Sequence, residues 1–89
     1  MSAKDDPVVA VIRTLPATTA DLLAERLTDP QRRQLILDLR QTYTAEGVAL
    51  WLGGRNRNLS RNSPTTLLFL GGDFNINAVI AEATRVGNA

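Results

Sequence analysis

The residues best suited to chemistry form the stretch Gly53-Gly54-Arg55-Asn56-Arg57-Asn58, which is followed by Arg61. Arginine carries a permanent positive charge and a planar fork of donors that matches phosphate and carboxylate groups. Glycine-rich turns also expose backbone N–H groups to anions. Because no acidic residue stands between Glu46 and Asp73, a local positive potential is expected here. The stretch is therefore a candidate contact for nucleic acid, for an anion or for another protein.

The anion-binding interpretation is the weakest of the three. A phosphate-binding loop has a longer glycine pattern that ends in lysine and Ser or Thr, and a dinucleotide fingerprint follows a strand. Neither pattern occurs around Gly53 and Gly54. Gly53 is better explained as the end of a helix, because glycine adopts a left-handed backbone at little cost.

Catalytic chemistry is disfavoured by the absence of histidine and cysteine from the chain. Their absence removes the usual general base at neutral pH, the thiol nucleophile and the commonest transition-metal ligands. Asp21 and Glu25 lie four residues apart on a predicted helix, where a solvated face is expected rather than a carboxylate pair across a cleft. We therefore predict a non-enzyme without catalytic residues, metal site or cofactor.

The chain of 89 residues, 44% hydrophobic and 21% charged, has the size and composition of one small folded domain. Its apolar runs, 8–12 and 67–70 among them, are far shorter than the roughly 20 residues of a membrane-spanning helix. The acidic Asp5-Asp6 pair is also unlike the basic start of a signal peptide. A cytoplasmic protein without membrane contact is expected.

Three helices are predicted in an N-terminal segment, residues 1–46, near 7–15, 19–27 and 30–43. Asp6-Pro7 and Asp29-Pro30 are typical of an N-cap followed by proline at the first helical position. Thr18 or Thr19 is the expected cap of the second helix. Apolar residues recur at helical spacing in each segment, so each helix should bury one face. The residues predicted to be buried are Val8, Val11, Ile12, Leu15, Ala20, Leu23, Ala24, Leu27, Leu35, Ile36, Leu39 and Tyr43.

Three further helices are predicted in a C-terminal unit, residues 47–89. Thr44, Ser63-Pro64 and Asp73 are the expected starts, and Gly53, Gly71 and Gly87 the expected ends. Leu59 is the only large apolar residue of the intervening loop and should fix it to the core. In the last helix Ile76, Val79, Ile80 and Ala83 form one apolar stripe, and the apolar residues that the other two carry are Val48, Leu50, Trp51, Leu52, Leu67, Leu68 and Leu70. The fold expected is an all-α, small single-domain bundle of about five to six short helices.

Two alternatives remain open in this unit. Gly71-Gly72 between apolar runs is also typical of a β-hairpin that pairs 65–70 with 74–76. The helical interpretation is preferred because Leu67, Leu68 and Leu70 do not alternate with polar residues. Trp51 is either a core anchor or an interface hot spot, and the core is favoured in a chain with only four aromatic residues.

A helix-turn-helix around residues 44–70 is the main alternative function. Arg55, Arg57 and Arg61 would then meet phosphates or base edges, as in a small excisionase or repressor. The predicted second helix, however, begins with an uncharged, mostly apolar sequence in which Thr65 and Thr66 are the only good base-reading donors. Arginines on a solvated loop are the simpler explanation.

Residues 47–87 resemble the toxin-binding domain of the Xre/MbcA/ParS antitoxin family. That domain has a Trp-Leu pair, a polar stretch with Asn and Leu, a proline that opens a Leu-Leu helix, a glycine, and a last helix with a valine near its final glycine. The matching residues here are Trp51-Leu52, Asn56 or Asn58, Leu59, Ser63-Pro64, Leu67-Leu68, Gly71-Gly72, Val79, Arg85 and Gly87.

The resemblance implies an antitoxin that occludes the active site of a RES-domain toxin, an enzyme that consumes NAD. Many family members carry a Xre-type DNA-binding domain ahead of this unit, and the three short helices of 1–46 depart from that arrangement. A protein partner is therefore expected first, with DNA or a second copy of the chain as alternatives. The residues expected to face the partner are Trp51, Arg55, Asn56, Arg57, Asn58, Arg61 and Arg85.

Overall fold

The computed structural model describes residues 6–89, so residues 1–5 of the predicted segment 1–46 lie outside the described part. It contains, in chain order, α1 (Pro7–Thr14), α2 (Ala17–Arg26), α3 (Asp29–Arg40), α4 (Ala45–Gly53), a short 3-10 helix (Arg57–Leu59), α5 (Pro64–Leu70) and α6 (Asp73–Gly87). Residues 6–89 form no β-sheet. The all-α bundle is confirmed, and the hairpin alternative is wrong because its residues form α5 and α6.

Four of the predicted helix boundaries are confirmed by hydrogen bonds. Asp6 Oδ1 accepts from the Val8 N–H at 2.9 Å, and Thr44 Oγ1 accepts from the Gly47 N–H at 3.1 Å. The Ser63 hydroxyl accepts from the Thr66 N–H at 3.1 Å, with Pro64 at the first helical position. At the other end of α5, the Gly71 N–H donates to the Leu67 carbonyl at 2.9 Å.

Three predicted caps are wrong by one to three residues. Pro16, without a capping side chain, precedes α2 in place of Thr18 or Thr19. Thr28 caps α3 in place of Asp29, because Gln31 lies three residues later and completes a reciprocal capping box. Gly72 precedes α6 in place of Asp73, which is its first residue. Helix α3 also ends at Arg40, three residues earlier than predicted, while Tyr43 packs against the core from the turn that follows.

The two glycine pairs adopt different backbones. Gly53 is the last residue of α4 as predicted, but its expected left-handed conformation is wrong, since positive φ among glycines is confined to Gly71 (74°) and Gly72 (89°) within residues 6–89. Gly71 has ψ −168°, in a region open essentially to glycine alone. The second pair therefore turns the chain between α5 and α6, whereas the first pair continues from a helix into extended chain.

One apolar core is shared by both halves of the chain. Helix α3 packs on α6, α2 on α5 and α1 on α4, so each N-terminal helix covers a C-terminal one. Most of the residues predicted to be buried lie in this core or against it. Ala24, which was predicted in the apolar stripe of α2, is an exception and is exposed; Leu50 and Leu70 are also exposed on the outer faces of their helices.

Helix α3 and the end of α6 are in close backbone contact. A Cβ at Gly87 would lie 2.6 Å from the Asp38 carbonyl oxygen, so only glycine fits against this backbone. The Thr84 hydroxyl donates to Asp38 Oδ2 at 3.0 Å, and the Thr42 hydroxyl donates to the Val86 carbonyl at 3.0 Å. These contacts fix the position of α6, which carries one wall of the site described next.

Candidate partner-binding site

The loop of residues 54–62, here called the Arg-Asn loop, closes on its own backbone. The Asn56 N–H donates to the Asn62 carbonyl at 3.1 Å, and the Arg61 N–H donates to the Asn56 carbonyl at 2.9 Å. Asn56 Oδ1 also accepts from the Asn58 N–H at 2.9 Å and thereby caps the 3-10 helix. The loop therefore has a defined shape, although its sequence is almost entirely polar.

Two consecutive non-glycine residues turn the loop back towards α5. Ser60 and Arg61 have φ values of 58° and 66°, in the left-handed region that side chains rarely adopt. The turn is held on one side by Leu59, which is buried as predicted, and on the other by Asn62, whose amide donates to the Leu59 carbonyl at 3.2 Å. The side chains of Ser60 and Arg61 are consequently exposed at the tip.

A buried carboxylate ties the loop to α6. Glu82 is only 7% exposed, and its Oε1 and Oε2 accept from Arg85 Nε at 2.7 Å and Arg85 Nη2 at 2.9 Å. Oε2 also accepts from the side-chain amide of Asn58 at 3.0 Å. Two residues that were predicted to face a partner, Asn58 and Arg85, are thus brought together by a third that was not predicted.

The bidentate contact with Arg85 lowers the pKa of Glu82 to about 2, because it stabilises the charged carboxylate more than burial destabilises it. The amides of Asn58 and Asn56 lower this pKa further. The same contact raises the pKa of Arg85. Glu82 is therefore ionised at neutral pH and acts as a fixed anchor for the loop.

The remaining predicted residues divide into exposed and half-buried groups. Arg55, Arg57 and Arg61 are exposed, and within residues 6–89 their side chains take part in no recorded hydrogen bond or ion pair. Trp51 and Asn56 are half-buried, and Trp51 packs against the core, as favoured from the sequence. Arg85 remains 58% exposed beside its ion pair.

A cleft of about 310 Å³ lies between the Arg-Asn loop and the first turns of α6. Its apolar lining comes from Leu59, Leu67, Phe74 and Ala78, and Ser60 and Asn62 contribute polar groups from the loop. Phe74 is 87% exposed although it lines the cleft, so one face of its ring is free to receive another group. The cleft is thus an apolar hollow with a polar, basic loop along one side.

The turn that joins α5 to α6, here called the α5–α6 corner (residues 69–74), presents further apolar side chains. Phe69, Leu70 and Phe74 are all largely exposed. The Arg26 guanidinium of α2 donates to the Phe69 carbonyl at 3.2 Å and lies beside Gly71. Helix α2 therefore holds the backbone of the corner in place. Of these three side chains Phe74 alone lines the cleft, whereas Phe69 lines a second hollow against α2.

The sequence-based reasoning missed Glu82 and the exposure of Phe69 and Phe74. A signal for Glu82 was present, since it lies three residues after Val79 and next to Ala83, on the flank of the predicted buried stripe, with Arg85 three residues later. The sequence carries no comparable signal that Phe74 is exposed, because its exposure depends on which face of α6 packs against the core.

Two further observations concern metal binding and membrane spanning by the described residues. Residues 6–89 bring together no group of three or more Asp, Glu, His or Cys side chains suited to a metal ion. None of the described helices combines the length and the apolar character needed to cross a bilayer.

Comparison with other proteins does not assign the chain to a family. Neither a protein-family model, nor a curated protein, nor a solved structure matches it. The resemblance to the Xre/MbcA/ParS toxin-binding domain therefore stays a prediction that depends on the residues quoted for it.

Proposed function

We propose that this chain is a binding protein that neutralises a partner protein by occluding the partner's active site. The observation that carries the proposal is the arrangement of the Arg-Asn loop and of Phe74, at the end of the α5–α6 corner, on the two sides of one cleft. Arg and Phe are among the residues enriched where proteins meet, and the fixed backbone of both segments limits the entropy that binding costs.

The ionised groups of the site suit binding better than proton transfer. Glu82 is the one buried carboxylate of residues 6–89, and its pKa of about 2 leaves it without a proton to give, and with little tendency to take one, at neutral pH. Its two oxygens are occupied by Arg85 and Asn58. These observations support a role for Glu82 in holding the surface rather than in catalysis.

The class of partner is proposed from the resemblance. An antitoxin of this type would bind a RES-domain toxin and prevent it from consuming NAD. Arg55, Arg57 and Arg61 would contact the toxin directly, whereas Asn58 and Arg85 would position the loop through Glu82. Trp51 would support α4 from the core side.

Co-expression with the product of the neighbouring gene tests the proposal. We expect the neighbouring product alone to arrest bacterial growth and deplete NAD, and we expect this chain to restore both and to co-purify with it. A chain carrying Leu68→Asp, which disrupts the core, is the control for effects of expression alone. A neighbouring product that is harmless, or toxicity that persists without complex formation, would contradict the proposal.

A DNA-binding regulator is the second candidate, and the exposure of Arg55, Arg57 and Arg61 favours it. Two features favour the protein partner instead. The linker between α4 and α5 spans residues 54–63, longer than the three- or four-residue turn of a helix-turn-helix. Helix α5 also has only seven residues and exposes Phe69 and Leu70 rather than basic groups.

A band shift with duplex DNA at increasing salt tests this second candidate. Phosphate contacts by three arginines would give a steep loss of affinity with ionic strength, and Arg57→Ala would reduce that slope by about one. The absence of a shift at low salt would exclude DNA binding through the loop.

A further inference from the structure

We propose that the cleft beside Phe74 receives one apolar side chain from an acidic segment of the partner protein, with Arg57 and Arg61 paired to the carboxylates on either side of it. This inference rests on the proposed function, since it names the surface through which the partner is bound. It also specifies the chemistry of the segment that fits there.

The lining of the cleft suits an apolar side chain, and its size leaves room for one. Its volume of about 310 Å³ lies at the lower limit of the roughly 300 to 1,000 Å³ that small-molecule pockets occupy. Leu59 and Leu67 are buried against the core and form its floor, while Phe74 and Ala78 of α6 form a wall. A Leu or Phe side chain that entered the cleft would leave water and gain apolar contact. The apolar lining of the cleft would do the same.

The charge around the cleft selects an acidic segment. Arg57 directly precedes Asn58, and Arg61 lies between Ser60 and Asn62, so both arginines flank residues that line the cleft. Of the acidic residues beside this surface, Glu82 is neutralised by Arg85, which leaves Asp73 as the exposed one. The excess positive charge favours carboxylates on the partner and speeds their encounter.

The cleft is formed in advance of binding. The hydrogen bond between the Asn56 N–H and the Asn62 carbonyl and the Glu82 anchor hold the loop side, and the packing of α6 on α3 holds the side that carries Phe74 and Ala78. A preformed hollow with an aromatic wall is the usual setting for an interface anchor. Nucleic acid would satisfy the arginines but leave the apolar hollow without an occupant, and for that reason a protein segment fits better.

Amide chemical shifts of the full 15N-labelled chain provide the test. The probe is a short peptide of Asp and Glu around one central Phe, with matched peptides in which Ser replaces the Phe or Lys replaces the acids. We expect the first peptide to shift the amides of Ser60, Leu67 and Ala78. The Ser peptide should bind about tenfold or more weakly, because an apolar anchor contributes roughly 1.5 to 3 kcal/mol. The Lys peptide should not shift these amides.

Variants of the chain locate the contact. Phe74→Ala should weaken the acidic Phe peptide about tenfold, and Arg57→Glu or Arg61→Glu about three- to tenfold at low salt. Leu50→Ala and Arg13→Glu are the matched controls, because they remove an exposed apolar and an exposed basic residue outside the cleft. The 15N spectrum of each variant reports whether it is folded.

Several results would overturn the inference. Equal binding of the Ser peptide, unchanged binding by the Phe74→Ala variant, or shifts located elsewhere would remove the apolar anchor. Duplex DNA that shifts the same amides and displaces the peptide would assign the surface to nucleic acid. Concentration-dependent shifts of these amides without peptide, together with a dimer mass, would assign it to a second copy of the chain.

The proposed function and this inference fail separately. If the wild-type chain does not restore growth in the co-expression experiment, the proposed function fails whatever the peptides do. If the wild-type chain restores growth and a variant carrying Phe74→Ala, Arg57→Glu and Arg61→Glu does so equally well, the function stands and the inference is wrong.

Discussion

The Arg-Asn loop and the α5–α6 corner border the same cleft, but different interactions hold them in place. The loop is polar, and its backbone bonds, the buried Leu59 and the Glu82 anchor fix it. The corner is short and apolar; a pair of glycines with positive φ lets its backbone turn, and the Arg26 guanidinium holds it through the Phe69 carbonyl, while Phe69, Leu70 and Phe74 remain exposed. The comparison indicates that polar interactions can immobilise one wall of a binding surface while the apolar groups of the other wall stay available.

The largest expected effect tests how far the loop depends on its single apolar contact. Leu59→Ala should lower the free energy of unfolding by about 3 kcal/mol, because it leaves a cavity where the loop meets α6. Urea denaturation measures the change. Leu50→Ala is the control and should cost less than about 0.5 kcal/mol, since Leu50 is 76% exposed. Similar losses for the two variants would show that Leu59 does not hold the loop.

The second prediction concerns the loss of folding stability when acid protonates Glu82. The pKa of Glu82 is about 2 in the folded chain, below its ordinary value of 4.5, so its stabilising contribution is complete above pH 4.5 and is lost as the pH falls towards 2. This difference in pKa corresponds to roughly 3 kcal/mol, and we expect a loss of about 2 kcal/mol because solvent screens an ion pair whose Arg85 side chain is 58% exposed. Glu82→Gln should remove that part of the pH dependence of unfolding.

Glu25→Gln, at an exposed position on α2, is the control for this measurement. It should leave the acid profile close to that of the wild type. If Glu82→Gln and the wild type unfold with parallel curves between pH 5 and pH 2, the ion pair with Arg85 contributes nothing to the loop.

The third prediction contrasts the two glycine pairs. Gly71→Ala should destabilise the chain by about 1 to 2 kcal/mol, because its φ of 74° and ψ of −168° are strained for alanine. Gly53→Ala should be neutral or stabilising by up to about 0.5 kcal/mol, since a Cβ there meets no atom within 4 Å and the unfolded chain loses freedom. Thermal unfolding of both variants measures the difference, and the same sign for both would contradict the assignment of their backbones.

The smallest expected effect tests whether Phe74 of the α5–α6 corner contributes to the stability of the fold. Phe74→Ala should change the free energy of unfolding by less than about 0.5 kcal/mol, because the ring is 87% exposed. Denaturant titration measures it. A loss above about 2 kcal/mol would mean that Phe74 belongs to the core, and its proposed role in binding would then have to be abandoned.

Most of the fold could be predicted because local signals agree with the packing. Asp6-Pro7, Thr44 and Ser63-Pro64 each place a capping oxygen just before an apolar stripe, and each begins a helix as expected. The caps that were wrong have two causes: α2 and α6 begin after Pro16 and Gly72 without any capping side chain, and α3 begins where two polar residues compete. At α3, Thr28 and Asp29 are both good caps, and the glutamine at position 31 decides in favour of the first.

The site was less accessible to sequence reasoning because it depends on contacts between distant segments. Asn58 and Glu82 are 24 positions apart, and their hydrogen bond requires the fold that brings α6 to the loop. Leu70 and Leu50 have the residue type of a core position, but the short helices that carry them bury only the opposite face. The exposed arginines were predictable, since no acidic residue stands near them in the chain.

The contact of Gly87 with the Asp38 carbonyl has a consequence for any mutational scan scored by partner binding. Gly87 lies five positions beyond Glu82 on the same rigid helix, so a larger residue there would displace the anchor of the loop as α6 moves off α3. Such a scan would score position 87 among the most sensitive, although it does not line the cleft. A second readout of folded abundance would separate this residue from those that touch the partner.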